Sequence, residues 1–512
     1  MRKVTLIVSM AALLVVSGPA LAELQNIEVG GEIQIRGNYI RDTFTGPAPM
    51  EVRWAPPLLG KRPIGGPFAN LGVVSITDWD DRGSNLKMVE HRTRLNVKAD
   101  FTDDVSAFIE LDSYDWWGED FRSNYITGAD TRANTVDDVE VFQAYIEANE
   151  MYGYPLRLRV GRQELCLGSE WLVGNNDFAL LFSGLSFDGL RLTYATDVVS
   201  LDAWWSKLAE NSPLEEDGDI DFYGVYGSYL GIEDMTIDGY WLYLRDPGRI
   251  PTGFGPVGTW LGLNDFDTTQ LHTLGLRAAG LAGAFDYEAE IAYQLGEADR
   301  IGSTFVGSMG LADDNADFDN WGGHFDVGYT FDASYQPRVF VGGAYFEGED
   351  NRDISFLEWI NPFYRGEASI SFNRLFSDTI YSGAMDATRT FSNGYIARAG
   401  LNLRPTEKLG ALLMATYFAT DEAFESPRRI LGIPVFPAVW TKDNDDYLGT
   451  DVCLFLTYNY SENLAFEAGW AHFFTGDGTE EGNFNFWNGL MFNGGTENDD
   501  ADYWYAGTRI KF

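Results

Sequence analysis

The chain ends in the stretch DYWYAGTRIKF, residues 502–512, in which two kinds of side chain alternate. One face carries Trp504, Ala506, Thr508, Ile510 and Phe512, and the other carries Tyr503, Tyr505, Gly507, Arg509 and Lys511. Alternation with period two predicts a β-strand with one apolar face and one hydrated face. As an ordinary edge strand it would leave a flat hydrophobic edge exposed, whereas pairing with the first strand would remove that edge. The ending therefore favours a closed sheet.

The first 22 residues have the pattern of a secretory signal peptide. Arg2 and Lys3 precede an apolar run over residues 4–16, and a small-residue site follows at residues 20–22. The pattern predicts cleavage before Glu23. Because the apolar run is too short for an ordinary membrane-spanning helix, a retained N-terminal anchor is the weaker alternative.

The composition limits the classes of protein that fit. No stretch of about twenty apolar residues follows residue 22, so the mature chain is either soluble outside the cytoplasm or crosses a membrane as a closed β-barrel. The 56 Gly, 35 Phe, 26 Tyr and 15 Trp favour the barrel, and two Cys give no disulfide framework. The formal net charge of −41 argues against nucleic acid as a partner.

Period-two alternation recurs along the chain and predicts an all-β protein, a single transmembrane antiparallel β-barrel of about eighteen strands over residues 23–512. The predicted strands cover residues 26–41, 87–99, 105–116, 138–150, 156–165, 184–195, 198–208, 220–231, 234–245, 268–281, 283–296, 320–331, 337–347, 394–403, 409–420, 447–459, 463–474 and 501–512. Short turns alternate with long loops, which is typical of a barrel in the outer membrane of a Gram-negative bacterium. Both termini are then expected in the periplasm.

Two stretches carry a family resemblance. Residues 142–195 include GRQELCLGSEWLVGN and FDGLRLTYA, and residues 372–419 include FNRLFSDTIYSGAMD and LNLRPTEKLGALLMATYFA. Both resemble the alginate export family of outer-membrane proteins. The resemblance implies an eighteen-stranded barrel that releases an anionic polysaccharide through a pore lined by arginines. Arg162 and Arg191 match family positions, although the strand parity turns Arg162 toward lipid unless the strand bulges at Gly161 or has left the membrane by that point.

Arginines on the hydrated faces of the predicted strands are the candidates for a pore lining. A guanidinium group suits carboxylates because it donates two parallel hydrogen bonds. Alternatively, these cations pair with Glu90, Glu110 or Glu147 on neighbouring strands and stiffen the wall. The candidates for the solute path are Arg92, Arg94, Arg157, Arg159, Arg162, Arg191, Arg277 and Arg398.

The long connections suggest two further features. The connection over residues 348–393 is too apolar for a freely moving loop, so we expect it to fold inward as a constriction or to pack on the rim, with Arg365 and Arg374 near the path. Acidic loops such as residues 313–320 and 476–483 could hold Ca²⁺, but they lack EF-hand spacing. A solvated surface bridged by divalent ions to lipopolysaccharide is the simpler interpretation, and no cofactor is otherwise expected.

Three functions fit this sequence. The first is passive passage of an anionic polysaccharide, oligosaccharide or similar solute, the second a general or small-solute porin, and the third a structural barrel that sheaths an electron-carrying partner. An enzyme is not expected, because none of the four His accompanies a nucleophile motif. Expected partners are outer-membrane lipid and lipopolysaccharide, the assembly machinery through the terminal Phe512, and a periplasmic secretion partner.

Overall fold

The computed structural model describes most of the chain. The described residues are 24–41, 86–102, 104–118, 123–124, 129–130, 139–175, 182, 184–210, 219–247, 268–297, 317–348, 371–383, 391–423, 425–427, 429–430, 433–434, 441–443, 445–480 and 500–512. The predicted signal peptide, residues 1–22, lies outside them.

Eighteen strands form one antiparallel sheet, as the sequence predicts. They are β1 (Leu24–Arg41), β2 (Leu86–Phe101), β3 (Val105–Trp116), β4 (Glu140–Ala148), β5 (Leu156–Gln163), β6 (Phe187–Ala195), β7 (Val199–Ala209), β8 (Ile220–Ile232), β9 (Met235–Asp246), β10 (Thr269–Ala282), β11 (Phe285–Glu297), β12 (Asp317–Thr330), β13 (Arg338–Phe346), β14 (Gly394–Leu403), β15 (Leu409–Thr420), β16 (Tyr447–Asn459), β17 (Leu464–Thr475) and β18 (Ala501–Lys511). Short strand pairs outside this sheet join residues 123–124 to 129–130, 425–427 to 441–443, and 429–430 to 433–434. Among the described residues, no helix is long and apolar enough to cross a membrane.

The sheet closes on itself through β1. Ile33 lies opposite Thr93 of β2 on one side and opposite Ile510 of β18 on the other. Two backbone hydrogen bonds between Gly31 and Phe512, of 2.9 and 3.0 Å, extend this closure to the last residue. Each of the eighteen strands of this sheet therefore has two partners, and the described sheet leaves no row of unpaired backbone groups exposed to lipid.

Side chains alternate across the wall as the sequence pattern predicts. On β2, Leu95 and Val97 are exposed outside, whereas Arg92 and Arg94 are buried on the inner face. Arg509 lies on the inner face of β18, 3.3 Å from Glu467. The outer face is the apolar band that the hydrocarbon core of a bilayer requires.

Two stretches between strands fold into the barrel. The first inward segment is residues 164–175, after β5, and the second inward segment is residues 371–383, before β14. They meet in a parallel bridge between Val173 and Phe376. Trp171 of the first segment stacks on Phe372 of the second, with ring centroids 5.7 Å apart, and both side chains are fully buried.

The second inward segment is fastened to the wall by hydrogen bonds. Gln294 of β11 exchanges two bonds of 2.7 Å with the backbone of Asn373. The hydroxyl of Thr416 on β15 donates to the carbonyl of Tyr381 at 3.0 Å. The described part of the 348–393 connection therefore folds inward, which is one of the two arrangements the sequence left open.

Candidate channel lumen

A cavity of about 1060 Å³ occupies the lumen on the short-turn side of the second inward segment. Ile380, Ser382 and Gly383 of that segment lie at one boundary, and wall residues of β8 to β18 and β1 form the rest. The charged residues that line it are Arg36, Arg338, Arg398, Asp234, Asp286, Glu288, Asp326 and Glu467. The rings of Phe340, Phe455, Tyr503 and Tyr505 complete an amphipathic surface.

Two ion pairs in the cavity each skip a strand. Arg338 on β13 binds Asp286 on β11 with contacts of 2.5 and 2.9 Å, so its guanidinium group lies over β12. A Cβ atom at Gly328 of β12 would lie 2.4 Å from that guanidinium group. The absence of a side chain at Gly328 therefore permits the crossing.

The second pair repeats this geometry one strand along. Arg398 on β14 donates through Nε to Oδ1 of Asp326 on β12 at 3.2 Å, and its Nη2 donates to Oδ2. A Cβ atom at Gly342 of β13 would lie 2.3 Å from Asp326 Oδ1. Both crossings need a glycine on the intervening strand, and together they brace β11 to β14.

Aromatic rings hold the two guanidinium groups in the cavity. The Arg338 guanidinium lies 5.0 Å from the Phe340 ring centroid, and that of Arg398 lies 6.0 Å from it. Arg398 also lies 5.0 Å from the ring of Tyr381 in the second inward segment. Such cation–π contacts fix the planes of the guanidinium groups and leave some of their edges toward the cavity.

On the opposite wall, Arg36 is held by a buried carboxylate. Its Nε donates to Oε1 of Glu90 at 2.8 Å, and Asn38 donates to the same oxygen. The Phe182 ring lies 4.3 Å from the guanidinium carbon, with Tyr505 at 5.7 Å on another side. Arg36 therefore reaches the cavity as a member of a fixed network.

Arg92 and Arg94 are covered by protein and do not face an open path. Arg92 is 2% exposed and lies beneath Phe182, and Arg94 is 7% exposed with the Phe142 ring 3.9 Å from its guanidinium carbon. Arg94 binds Asp112 at 2.9 Å, and Glu110 lies 3.7 Å away. The expectation that these two form an open constriction is wrong, and the wall-stiffening alternative describes them.

Arg157, Arg159 and Arg191 lie half-buried on the inner wall, away from the cavity. Arg159 binds Glu147 at 2.6 Å, and Arg191 binds Asp202 of β7 at 2.8 Å. Arg157 donates to the hydroxyl of Thr193 at 3.3 Å. Their contact with a solute stays a prediction.

Arg162 lies on the outer face, so its assignment to the pore lining is wrong. It makes two contacts of 2.8 and 2.9 Å with Asp188, which shares its face of β6 with the exposed Leu190. Gly161 has a φ of +127°, but this irregularity does not turn the following side chain inward. Arg162 therefore faces outward, as the parity of its strand predicts.

The remaining candidates fall in three places. Arg398 lines the cavity, and Arg277 binds Asp238 at 2.6 Å in a separate cluster. Arg374 is 4% exposed and donates to the carbonyl of Thr379 at 2.5 Å within the second inward segment, so it stabilises the segment and does not face a path. Arg365 and residues 313–316 and 481–483 of the acidic loops lie outside the described residues.

Sequence reasoning missed two parts of the site. Arg338 begins a strand whose alternate residues, Phe340 and Gly342, also face inward, so parity alone could have identified it. The second part that was missed is the first inward segment. The apolar residues of LCLGSEWLVG, residues 165–174, could have shown that this segment is buried.

The profile of a known family matches residues 78–504, which is most of the chain. Its description is alginate export. The chain belongs to the alginate export family. As the family and the closed barrel together indicate, the protein is an outer-membrane channel.

Solved structures similar to this member of the alginate export family are distant in sequence. OccK8 (OprE) of Pseudomonas aeruginosa is 13% identical with a TM-score of 0.48, covering 95% of this chain and 98% of that chain. OpdQ of the same organism is 11% identical with a TM-score of 0.48, covering 94% and 98%. OccAB2 of Acinetobacter baumannii is 11% identical with a TM-score of 0.47, covering 95% and 98%. No curated protein sequence matches the chain.

Proposed function

We propose that the protein is a conduit for an acidic polysaccharide or oligosaccharide across the outer membrane of a Gram-negative bacterium. The observation that carries the proposal is the convergence of Arg36, Arg338 and Arg398 with aromatic rings on one cavity of about 1060 Å³. Guanidinium groups recognise sugar carboxylates, and aromatic rings offer flat apolar surfaces for sugar rings. Membership of the alginate export family supports the same substrate class.

The arginines of the cavity are already paired, which suits transport better than tight binding. A solute carboxylate would exchange with Asp286 or Asp326 at a guanidinium group instead of meeting a free cation. The free-energy change of each exchange is close to zero, because one carboxylate replaces another at the same guanidinium group. A conduit needs such weak sites, since a tightly held solute would not leave.

The charge balance of the cavity favours a second candidate function. Among the described residues that line the cavity, five are carboxylates and three are arginines. A field of this sign concentrates small cations and repels free anions. A small-solute porin is therefore the alternative, whereas the two inward segments argue against a wide sheath for an electron carrier.

Single-channel recording in planar bilayers, with added polyuronate, tests the proposal. We expect weak, reversible block of the wild type by polyuronate. Block should weaken in Arg398→Ala and Arg338→Ala and strengthen in Asp326→Asn, because the last change frees a guanidinium group. Arg162→Ala is the matched control, since it removes an equally well-paired arginine from the outer face.

Two outcomes would decide against an acidic conduit through this cavity. Cation selectivity without polyuronate block would favour the small-solute porin. Block that is equally strong in Arg398→Ala, Arg338→Ala and Arg162→Ala would place the polyuronate site elsewhere in the protein.

A further inference from the structure

A second charged cluster lies on the inner wall beside the cavity. It comprises Asp238, Arg277, Glu288, Glu290 and His324, on the consecutive strands β9 to β12. Arg277 binds Asp238 at 2.6 Å and lies 3.1 Å from Oε1 of Glu288. Trp171 of the first inward segment covers the cluster, with its ring stacked on that of His324 at 5.0 Å.

The cluster carries more negative than positive charge in a buried place. Its three carboxylates and one guanidinium group have a formal charge of −2 when the imidazole is neutral. Asp238 is 2% exposed, and Glu290 and His324 are each 7% exposed. Uncompensated charge of this kind is costly away from water, and a divalent cation would bring the formal charge to zero.

His324 points into this cluster and has no hydrogen-bond partner among the residues that the structure describes. Its Nε2 lies 3.5 Å from Oε2 of Glu290 and 3.7 Å from Oε1 of Glu288. Both ring nitrogens are buried and unpartnered. These separations are longer than the usual donor–acceptor distance of a hydrogen bond. They resemble the distance of about 3.4 Å between neighbouring ligands of a tetrahedral ion with bonds of about 2.1 Å.

We propose that Glu288, Glu290 and His324 bind a divalent first-row transition metal ion, such as Zn²⁺. One ligand atom from each of the three residues lies within 4.8 Å of the other two. The imidazole favours a transition metal over Ca²⁺ or Mg²⁺, which prefer ligand sets made of oxygen.

The surroundings orient and expose these ligands. The Tyr240 hydroxyl donates to Oε1 of Glu290 at 2.7 Å, so that Oε2 is the oxygen that faces His324. Outer-shell hydrogen bonds of this kind fix metal-binding carboxylates. Glu288 lines the cavity and gives an ion access from the lumen. The ion would join β11 to β12 beneath Trp171, independently of which solute the channel carries.

Zn²⁺ titration of the full-length protein in detergent, after removal of metal with EDTA, tests the proposal. We expect a Zn²⁺ site in the wild type that is lost or weakened in His324→Gln and Glu290→Gln. The loss should be at least tenfold in affinity, since removing even an outer-shell partner costs about ten- to a hundredfold. His472→Gln is the matched control, because His472 contacts Asp502 on the outer face and could hold an adventitious ion.

X-ray absorption at the zinc edge of the wild type gives an answer that does not depend on a variant folding. A spectrum that shows zinc coordinated by an imidazole and oxygen ligands, and that is unchanged in His472→Gln, would support the site. Unchanged Zn²⁺ affinity in folded His324→Gln would overturn it. No Zn²⁺ binding by the wild type, or a signal that disappears only in His472→Gln, would also overturn it.

Discussion

Arg338 reaches over an entire strand to bind Asp286, 52 residues earlier in the chain. Its guanidinium group passes across β12 at Gly328, where even a methyl group would collide with it. Cross-strand pairs usually join adjacent strands. Here the pair joins strands that are not neighbours, so the ion pair braces three strands of the cavity wall.

Substituting this glycine should break the brace. We expect Gly328→Ala to displace Arg338 and to destabilise the barrel by about 0.5–3 kcal/mol, the usual range for a destabilising point substitution. It should also raise cation selectivity, because Asp286 loses its partner. Urea unfolding in lipid vesicles and reversal potentials measure the two effects.

Gly410→Ala is the control for this substitution. Gly410 lies at the same end of the barrel, and the nearest atom to its added Cβ would be 4.0 Å away. An equal loss of stability in both variants would show that strand propensity, and not the crossing, is responsible.

Removing the indole at Trp171 should loosen both inward segments. The ring is fully buried and stacks on His324, Phe346 and Phe372. We expect Trp171→Ala to raise single-channel conductance and to cost about 3–5 kcal/mol of stability. Trp117 is exposed, so Trp117→Ala should leave the conductance and the stability unchanged. Unaltered conductance in Trp171→Ala would mean that this packing does not limit the path.

Deleting Phe512 should impair closure of the barrel. The residue exchanges two backbone hydrogen bonds with Gly31. We expect a lower folded fraction on refolding into detergent. The measurement is the difference in gel mobility between heated and unheated samples. We also propose that the assembly machinery reads Phe512. A loss of assembly in cells, with normal refolding in detergent, would assign the residue to recognition alone.

Cys166 should react slowly with alkylating reagents. Cys166 is exposed at the surface of the segment, but desolvation by the protein around its sulfur, with Glu170 and Glu164 nearby, raises the pKa of its thiol, so the protonated form dominates at pH 8. Because only the thiolate reacts, iodoacetamide labelling at pH 8 should be much slower than in the urea-unfolded chain, and should accelerate as the pH rises. Equal rates in the folded and unfolded protein would contradict this. Cys453 is buried and should stay unlabelled in the folded barrel.

The fold could be predicted because strand alternation is a local property. The inward faces of Arg509 and Arg398 follow from the parity of their own strands. The coverage of Arg92 could not be predicted in this way. It depends on Phe182, whose backbone binds Glu90 across 92 positions of sequence, and no local pattern reports that contact. The same limit applies to His324, which becomes a candidate ligand only through Glu288 and Glu290 on the neighbouring strand.

The bridge between Val173 and Phe376 couples the first inward segment to the second, about two hundred residues later in the chain. Neither can leave the lumen alone without breaking the hydrogen bonds of 2.9 Å that join Phe376 to Leu172 and Gly174. Opening should therefore be cooperative, and a current record should show a single step between two conductance levels instead of two independent ones.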